Sequence, residues 1–298
     1  MWTAWARDAP GVQVHLVDGT YELFRYHYSP GNRDPDIGAT RGVLGSVLQL
    51  LESGATHVGV ATDHVIESFR NDLWATYKDG SGVEPALKAQ FPVIEEMLVA
   101  AGVCTWPMVE LEADDALAAA AKVAAGDERV ERVLICTPDK DLGQCVGGKV
   151  VQWDRRQDIV YDAAGVTAKF GVPPESIPDY LALVGDSADG FPGVAGWGAK
   201  SAAAVLAVYG HLEAIPPAGD DWKVDVRNKG RLAMALRDSF ELALLFRRIA
   251  TVEADAEVVS SVDEIEWRGP TAGFAERCER LGMPAIATRA AKLANSRQ

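Results

Sequence analysis

Short apolar runs that each end in an acidic residue constrain the fold of this chain more than any other feature of its sequence. The runs VQVHLVDG, HVGVATD and RVLICTPDKD lead into Asp18, into Asp63, and into Asp139 and Asp141. Segments of helical period (GVLGSVLQLLES and EPALKAQFPVIEEMLVAAG) lie between them. Strands that alternate with helices predict an α/β fold built on a parallel sheet, and continuously apolar strands suit a sheet covered on both faces.

The acids that follow these strands are expected at one edge of the sheet, because ligands of such folds bind outside the carboxyl ends of the strands. A further short strand, around VCTWPMV, precedes ELEADDALAAAAK, which places Glu112, Asp114 and Asp115 at a helix start. Acids in a first helical turn also act as caps and complement the helix dipole. Three acids this close repel one another unless a cation lies among them, so we favour a cation-binding edge over capping alone.

Composition indicates an ordinary globular protein. The chain has 298 residues, 48% of them hydrophobic, and a mean hydropathy of −0.02, which suits one large domain and a smaller one. No apolar stretch has membrane-spanning length, and the N-terminal MWTAWARDAPG lacks the pattern of a secretory signal. The four cysteines form no CxxC pair, which favours free thiols over disulfides or zinc. We therefore expect a cytoplasmic protein with no membrane partner.

The sequence changes character after residue 170, where Pro and Gly become frequent and no strand-like run follows. This predicts two domains, an α/β domain at 1–175 and a helical domain at 176–298. In the second, FPGVAGWGAKSA places three glycines and a lysine in a tight turn before an Ala-rich helix. The backbone N–H groups of such a turn, the helix N-terminus and the lysine charge are suited to a phosphate. The residues predicted to contact phosphate here are Gly193, Gly196, Gly198 and Lys200.

Two further acids, Asp186 and Asp189 in GDSADG, bring the candidate carboxylates to nine. With these residues the chain resembles the 5′ nuclease superfamily, which comprises flap endonucleases and the 5′→3′ exonuclease domain of bacterial polymerase I. The resemblance runs from about residue 12 to residue 250. It rests on five motifs in order: LVDGTYELFR, DHVIESFRNDLWATYK, ELEADDALA, TPDKDLGQ and DYLALVGDSADGFPGVAGWGAKSA.

The resemblance implies a PIN-like α/β nuclease core with an arch at about 70–108, and a helix–three-turn–helix module at about 176–215. It also implies two divalent metals, Mg²⁺ with Mn²⁺ as a substitute, held by two sets of carboxylates. The first set is Asp18, Asp63, Glu112, Asp114 and Asp115, and the second is Asp139, Asp141, Asp186 and Asp189. Two such ions activate a water, stabilise the leaving oxygen and offset charge on the phosphorus during phosphodiester hydrolysis. Oxygen ligands suit Mg²⁺, whereas Cys and His do not.

Positive charge at the reacting phosphate is assigned by the resemblance to Arg70 and Lys78, which join Asp139 and Asp141 as catalytic residues. They are eight residues apart on one predicted helix, about two turns, and so are expected to share a face. Tyr77 is a candidate for stacking on a DNA base, with a place in the core as the alternative.

A K⁺ ion bound by backbone carbonyls of the glycine turn is a further implication of the resemblance. The matching positions are Leu183, Val184, Pro192, Val194 and Trp197. The chain departs from the family in three ways: Ser81 replaces a frequent Arg, Gly190 replaces the usual Asn, and Lys88 is the single basic residue at 79–108. A weakly basic arch is expected to guide a single-stranded 5′ end less strongly.

The net charge of −14 argues against nucleic-acid binding when taken alone. The nine candidate carboxylates account for most of it, and bound metal would return positive charge where DNA approaches. We therefore expect DNA binding that needs divalent metal and weakens steeply with salt.

These observations favour a 5′→3′ exonuclease and structure-specific flap endonuclease that acts on DNA 5′ ends, flaps, nicks or gaps in replication or repair. We expect a monomer, with a polymerase or ligase acting in trans. Two alternatives stay open: a PIN-type ribonuclease, and a non-catalytic binder of branched DNA. The helical module weighs against the first, and the complete set of nine acids weighs against the second.

Overall fold

The computed structural model describes residues 11–297, and residues 1–10, on which the absence of a signal sequence was predicted, lie outside it. No helix within the described range is both long and apolar enough to cross a membrane. The strands are β1 (Val12–Asp18), β2 (His57–Asp63), β3 (Cys104–Met108), β4 (Val130–Cys136), β5 (Val150–Asp154) and β6 (Ile159–Tyr161). The helices are α1 (Gly19–His27), α2 (Gly38–Glu52), α3 (Phe69–Leu73), α4 (Pro85–Lys88), α5 (Gln90–Ala100), α6 (Ala113–Gly126), α7 (Ala163–Phe170), α8 (Ile177–Val184), α9 (Ala199–Tyr209), α10 (Lys229–Asp238), α11 (Phe240–Ala250), α12 (Phe274–Arg280) and α13 (Pro284–Ser296).

The described residues form two compact units. The first contains the described parts of Met1–Ile66 and Glu253–Gln298, together with Gly80–Thr137. The second contains Glu67–Asp79 and Pro138–Val252. Each unit is therefore built from separate stretches of the chain.

These units divide the chain differently from the predicted domains 1–175 and 176–298. The C-terminal stretch belongs to the first unit, where the Trp267 backbone N–H donates to Thr56 O at 2.8 Å and its indole donates to Ala101 O at 2.8 Å. The segment between Pro138 and residue 175 belongs to the second. Helical period identifies a helix, but it does not reveal the core in which that helix is buried.

The first unit is built on a parallel sheet, as the alternating pattern predicts. Its strands lie in the order β3-β2-β1-β4, and every residue of β2 is buried. β1 pairs with β2 and β4, so that Asp18 lies opposite Ala61. Because the strands are parallel, Asp18 and Asp63 both end their strands at the carboxyl edge of the sheet.

The predicted arch at 70–108 is wrong over its second half, which forms part of the core of the first unit. α5 buries Phe91, Ile94 and Leu98, and β3 is a sheet strand. The predicted helix over 84–102 is also divided into α4 and α5. The apolar spacing of this segment reflects burial in a core rather than a helix that projects into solvent.

The second unit contains the antiparallel pair β5 and β6 and a helical core. In that core Phe191 stacks on Phe246 of α11 with ring centroids 5.5 Å apart, and the side chain of Trp197 donates to Leu232 O. α8 and α9 flank the glycine-rich turn, which gives the two helices joined by a turn that the sequence predicts.

Arg247 is expected to stabilise the second unit strongly because it neutralises a buried carboxylate. Asp179 is only 2% exposed and accepts hydrogen bonds from Arg247 Nη1 at 2.9 Å, from His211 Nδ1 at 2.9 Å and from Leu212 N at 3.1 Å. Arg247→Met leaves this charge buried without its guanidinium and should lower the free energy of unfolding by about 3 kcal/mol. Urea titration followed by tryptophan fluorescence measures the loss.

The matched control is Arg129→Met, which removes an arginine paired with Asp127 and Asp263 at the surface. Its unfolding midpoint should match that of the unmodified chain. Equal effects of the two substitutions would show that burial of Asp179 does not determine the stability of this unit.

Candidate active site

The carboxylates of the first unit are held in place by hydrogen bonds at the carboxyl edge of the sheet. Asp18 is 5% exposed and caps α1: its Oδ1 accepts from Tyr21 N at 2.8 Å, and its Oδ2 accepts from Thr137 Oγ1 at 2.9 Å. The backbone N–H of Asp63 donates to Thr20 Oγ1 at 2.8 Å, which fixes the end of β2. These bonds orient the Asp18 carboxylate and fix the main chain at Asp63, at the ends of neighbouring strands.

The start of α6 brings further acids to Asp63. Asp63 Oδ1 accepts from Ala113 N at 2.7 Å. Asp115 is fully buried, and its two oxygens accept from Glu112 N at 2.9 Å and Glu253 N at 2.8 Å. Capping therefore accounts for Asp115, as the simpler interpretation of this segment held. Glu112 is buried and Asp114 is half-buried, and the assignment of this set to a first metal stays a prediction.

The second unit contains a tight carboxylate cluster formed by Asp141, Asp186 and Asp189. One oxygen from each side chain lies within 4.8 Å of the others. Within residues 11–297, no other three His, Cys, Asp or Glu side chains bring their ligand atoms this close. Asp186 is oriented by the turn that carries it, since its Oδ1 accepts from Ala188 N at 2.9 Å. Three carboxylates of the predicted second metal set thus converge.

The donor atoms of this cluster fit a hard divalent cation. Asp141 is 8% exposed, and its Oδ1 is buried without a hydrogen-bond partner among the described residues. Burial raises the pKa of the Asp141 carboxyl well above its ordinary value, and the neighbouring carboxylates, Asp139 first, raise it further. Mg²⁺ and similar ions prefer oxygen ligands, and a cation would satisfy both the unpartnered oxygen and the crowded negative charge.

Asp139 lies beside the cluster in a supporting position. Its Oδ1 accepts from the backbone N–H of Asp141 at 3.0 Å, which fixes the start of the short 3₁₀ helix Asp141–Cys145. It was predicted as a ligand of the second metal and as a catalytic residue. The structure places it next to the three convergent carboxylates but outside the group that they form.

Two lysines contact the cluster. Lys78 Nζ lies 3.4 Å from Asp189 Oδ1, and the Lys78 backbone N–H donates to Asp189 O at 2.9 Å. Lys140 Nζ lies 2.5 Å from Asp186 Oδ2. Burial lowers the pKa of Lys140, but the hydrogen bond and charge of Asp186 outweigh it, so the pKa is raised. The position of Lys78 suits its predicted role, whereas sequence reasoning missed Lys140 despite its place between two candidate ligands in DKD.

Arg70 does not share a helix face with Lys78, and that expectation is wrong. α3 ends at Leu73, and Trp74 adopts an extended backbone, so Lys78 lies beyond the helix. Arg70 is 2% exposed; its Nε donates to Ile249 O at 2.8 Å and its Nη2 to Thr251 O at 3.1 Å. These bonds give the guanidinium a structural role at the end of α11 instead of a position at a phosphate.

Tyr77 belongs to the core, so its predicted role in base stacking is also wrong. The side chain is 5% exposed and lies in the apolar cluster of the second unit. The neighbouring Trp74 side chain donates to Gly190 O at 3.1 Å, as does Thr76 Oγ1 at the same distance. The 74–77 segment therefore packs against the turn that holds Asp189.

Close backbone contacts leave no room for a side chain at Gly190, where the resemblance implies Asn. Gly190 has a φ of +82°, and a Cβ added there would lie 2.1 Å from Thr76 O. Gly193 has a φ of +71°, and a Cβ there would lie 2.6 Å from Leu183 O. Any side chain at either position would force the turn open, so these glycines determine where Asp186 and Asp189 lie.

A groove of about 740 Å³ lies beside the glycine turn in the second unit. One wall contains Gly196, Gly198 and the exposed Lys200 at the start of α9. The groove lining also contains the exposed Arg227 and Arg231. Three cations, one acid (Asp225) and the start of α9 thus line one groove, and its excess of positive charge is suited to a phosphate backbone.

Comparison with protein families identifies two consecutive matches. Residues 13–171 match the family described as 5′-3′ exonuclease, N-terminal resolvase-like domain. Residues 172–273 match the 5′-3′ exonuclease, C-terminal SAM fold.

Curated relatives include free-standing and multidomain proteins. The 5′-3′ exonuclease of Aquifex aeolicus is 31% identical over 266 residues, which cover 86% of this chain and 87% of the relative. DNA polymerase I of Pseudomonas aeruginosa is 33% identical over 264 residues, which cover 84% of this chain but only 28% of the polymerase. DNA polymerase I of Bacillus caldotenax is 31% identical, with 29% of its length covered. The chain therefore spans less than a third of these polymerases.

Solved structures with the same fold include T5 5′-exonuclease with bound zinc, which matches at a TM-score of 0.65 and 19% identity. The match covers 95% of this chain and 98% of the T5 chain. The catalytic core of Rad2 in complex with DNA substrate matches at a TM-score of 0.64 and 17% identity, covering 95% of this chain and 92% of that one. These similarities confirm the predicted fold class, an α/β nuclease core with a helical domain.

Arg70→Met is expected to destabilise the protein, because it leaves two main-chain carbonyls without their donors. The loss should be about 3 kcal/mol in the free energy of unfolding, measured by urea titration in EDTA. Arg248→Met is the matched control, since both guanidinium groups stack on the Phe69 ring, Arg70 at 4.6 Å and Arg248 at 4.9 Å, but Arg248 is exposed. It should lose much less. Unchanged stability of Arg70→Met together with lost cleavage would restore the role at the phosphate.

Proposed function

The chain belongs to the 5′–3′ exonuclease family, and from this we propose that it hydrolyses phosphodiester bonds of DNA near 5′ ends with divalent metal. The family matches together cover residues 13–273. They confirm the resemblance that the motifs indicate, and with it the enzyme class, a 5′ nuclease. The proposal concerns the substrate, the ions and the residues that act in this chain.

The observation that carries the proposal is the convergence of Asp141, Asp186 and Asp189 beside Lys78. A divalent cation bound there would supply Lewis-acid stabilisation and an activated water for attack on phosphorus. The chain contributes three oriented carboxylates that hold the ion, with the turn hydrogen bond to Ala188 N fixing Asp186. Lys78 contributes an ammonium beside the cluster that can bind a phosphate oxygen.

The metals are proposed as two Mg²⁺ ions, with Mn²⁺ as a substitute, and the two sets of carboxylates predicted from the motifs as their ligands. Support comes from the oxygen-only donors of the cluster and from the divalent ions bound to T5 5′-exonuclease.

K⁺ is proposed at the glycine turn because main-chain atoms approach one another closely there. A Cβ on Gly185 would lie 2.6 Å from Pro192 O, and one on Gly193 would lie 2.6 Å from Leu183 O.

DNA is the proposed substrate because the catalytic core of Rad2 and T5 D15 flap endonuclease were both solved with DNA. The groove at Lys200, Arg227 and Arg231 is proposed to bind the double-stranded part of that substrate through its phosphates. A PIN-type ribonuclease is disfavoured by the match of 172–273 to the exonuclease C-terminal fold. A monomer acting with a polymerase or ligase in trans remains part of the proposal.

Cleavage of a 5′-flap duplex labelled at its 3′ end tests the proposed activity. With Mg²⁺ we expect one product cut at the flap junction or a ladder of shortening products, and no product in EDTA. Asp186→Asn should lower the cleavage rate by at least about a hundredfold, because it removes a charged ligand. The Asn side chain can still accept from Ala188 N, so the turn should be preserved.

Duplex binding by the same variant separates the alternatives. Asp186→Asn should bind the flap duplex at least as tightly as the unmodified chain in Ca²⁺. Binding without cleavage in either Mg²⁺ or Mn²⁺ by the unmodified chain would favour the non-catalytic binder of branched DNA.

The groove is tested by the salt dependence of duplex binding. Arg231→Ala and Lys200→Ala should each weaken binding and reduce the slope of log K against log salt by about 0.9, the value for one lost phosphate contact. Arg237→Ala is the control on the same helix, since Arg237 pairs with Asp238 and lies outside the groove lining. Equal slopes for Arg231→Ala and Arg237→Ala would place the duplex elsewhere.

A further inference from the structure

Lys140 contacts the carboxylate cluster of the second unit, and none of the sequence motifs gives this lysine a role. Its Nζ lies 2.5 Å from Asp186 Oδ2, and its side chain is 34% exposed. The other oxygen of Asp186 already accepts from Ala188 N at 2.9 Å. Oδ2, which Lys140 contacts, is thus the Asp186 oxygen that has no main-chain donor among the described residues.

The contact between Lys140 and Asp186 matters because the cluster carries an excess of negative charge. Three carboxylates with oxygens within 4.8 Å repel one another, and Asp141 carries a buried oxygen without a hydrogen-bond partner among the described residues. Lys140 Nζ contacts Asp186 at 2.5 Å, and Lys78 Nζ contacts Asp189 at 3.4 Å. They offset part of the repulsion while leaving the cluster net negative.

We infer that Lys140 is an internal counter-ion of the metal site, which stabilises the cluster without metal and competes with the divalent cation for Asp186 Oδ2. This inference rests on the proposed metal site. A metal ligated by Oδ2 and the ammonium that contacts the same oxygen repel each other, so each weakens the other's interaction with Asp186. Lys140 thereby lowers the affinity of the cluster for metal and protects the fold when metal is scarce.

Lys140→Met tests the inference, because Met preserves most of the side-chain length and removes the charge. Calorimetric titration of the DNA-free protein with Mn²⁺ should show the ion at this cluster bound roughly tenfold more tightly, about 1.4 kcal/mol. In EDTA the same variant should melt about 2–4 °C lower, because the three carboxylates lose a counter-charge. The difference in melting temperature should close as Mn²⁺ saturates the site.

Two variants serve as controls. Lys140→Arg retains the positive charge, so its Mn²⁺ affinity and its melting temperature in EDTA should stay close to those of the unmodified chain. Lys122→Met removes a lysine from an exposed ion pair with Asp255 and should change neither quantity.

Asp186→Asn distinguishes failure of this inference from failure of the proposed function. If Asp186→Asn loses an Mn²⁺ equivalent but Lys140→Met binds no more tightly than the unmodified chain, the counter-ion role is wrong and the metal site stands. If Asp186→Asn titrates like the unmodified chain, the cluster is not a metal site, and both are overturned. Tighter binding by Lys140→Met that disappears on adding Asp186→Asn supports the inference.

Discussion

The candidate site depends on one constraint: the negative charge of its closely spaced carboxylates has to be compensated. Main-chain N–H groups provide much of this compensation in each unit: Asp18 caps α1, Asp63 accepts from the start of α6, and Asp186 accepts from Ala188 N. A carboxylate that accepts an N–H bond is favoured in its ionised form and has one orientation. Capping and metal binding are therefore not competing explanations for these acids, because each carboxylate oxygen has two lone pairs and can ligate a cation while it accepts one hydrogen bond.

The cluster of the second unit depends additionally on backbone that only glycine allows. Asp186 and Asp189 lie in a turn where Gly190 approaches Thr76 O and Gly193 approaches Leu183 O too closely for a Cβ. The 74–77 segment is bonded to the same turn through Gly190 O. Gly190 thus permits a tight contact between this turn and the 74–77 segment, next to which Lys78 contacts Asp189.

The sequence was sufficient for the class of the fold, because strands and helices follow local patterns, whereas the assignment of the nine carboxylates to two metals stays a prediction. Apolar runs ending in acid predict parallel strands whose carboxyl ends meet, and β1 to β4 follow that pattern. Arg70 and Tyr77 could not be placed in this way. The acceptors of Arg70 lie 179 and 181 residues further along the chain, and Tyr77 is buried by segments distant in sequence. Helical spacing indicates a face, but the partner of that face is decided by tertiary packing.

The local distribution of charge explains how a chain of net negative charge can present a surface suited to DNA, which is also negatively charged. The net charge of −14 is an average over the chain, whereas a phosphate responds to charge within about a Debye length, roughly 10 Å at 0.1 M salt. The groove of the second unit presents Lys200, Arg227 and Arg231 together, and the acids of the cluster are offset by Lys78 and Lys140. Because the cluster stays net negative until a cation binds, repulsion of phosphate should be strongest without metal. The same carboxylates that hold the ion thereby make the approach of DNA depend on it.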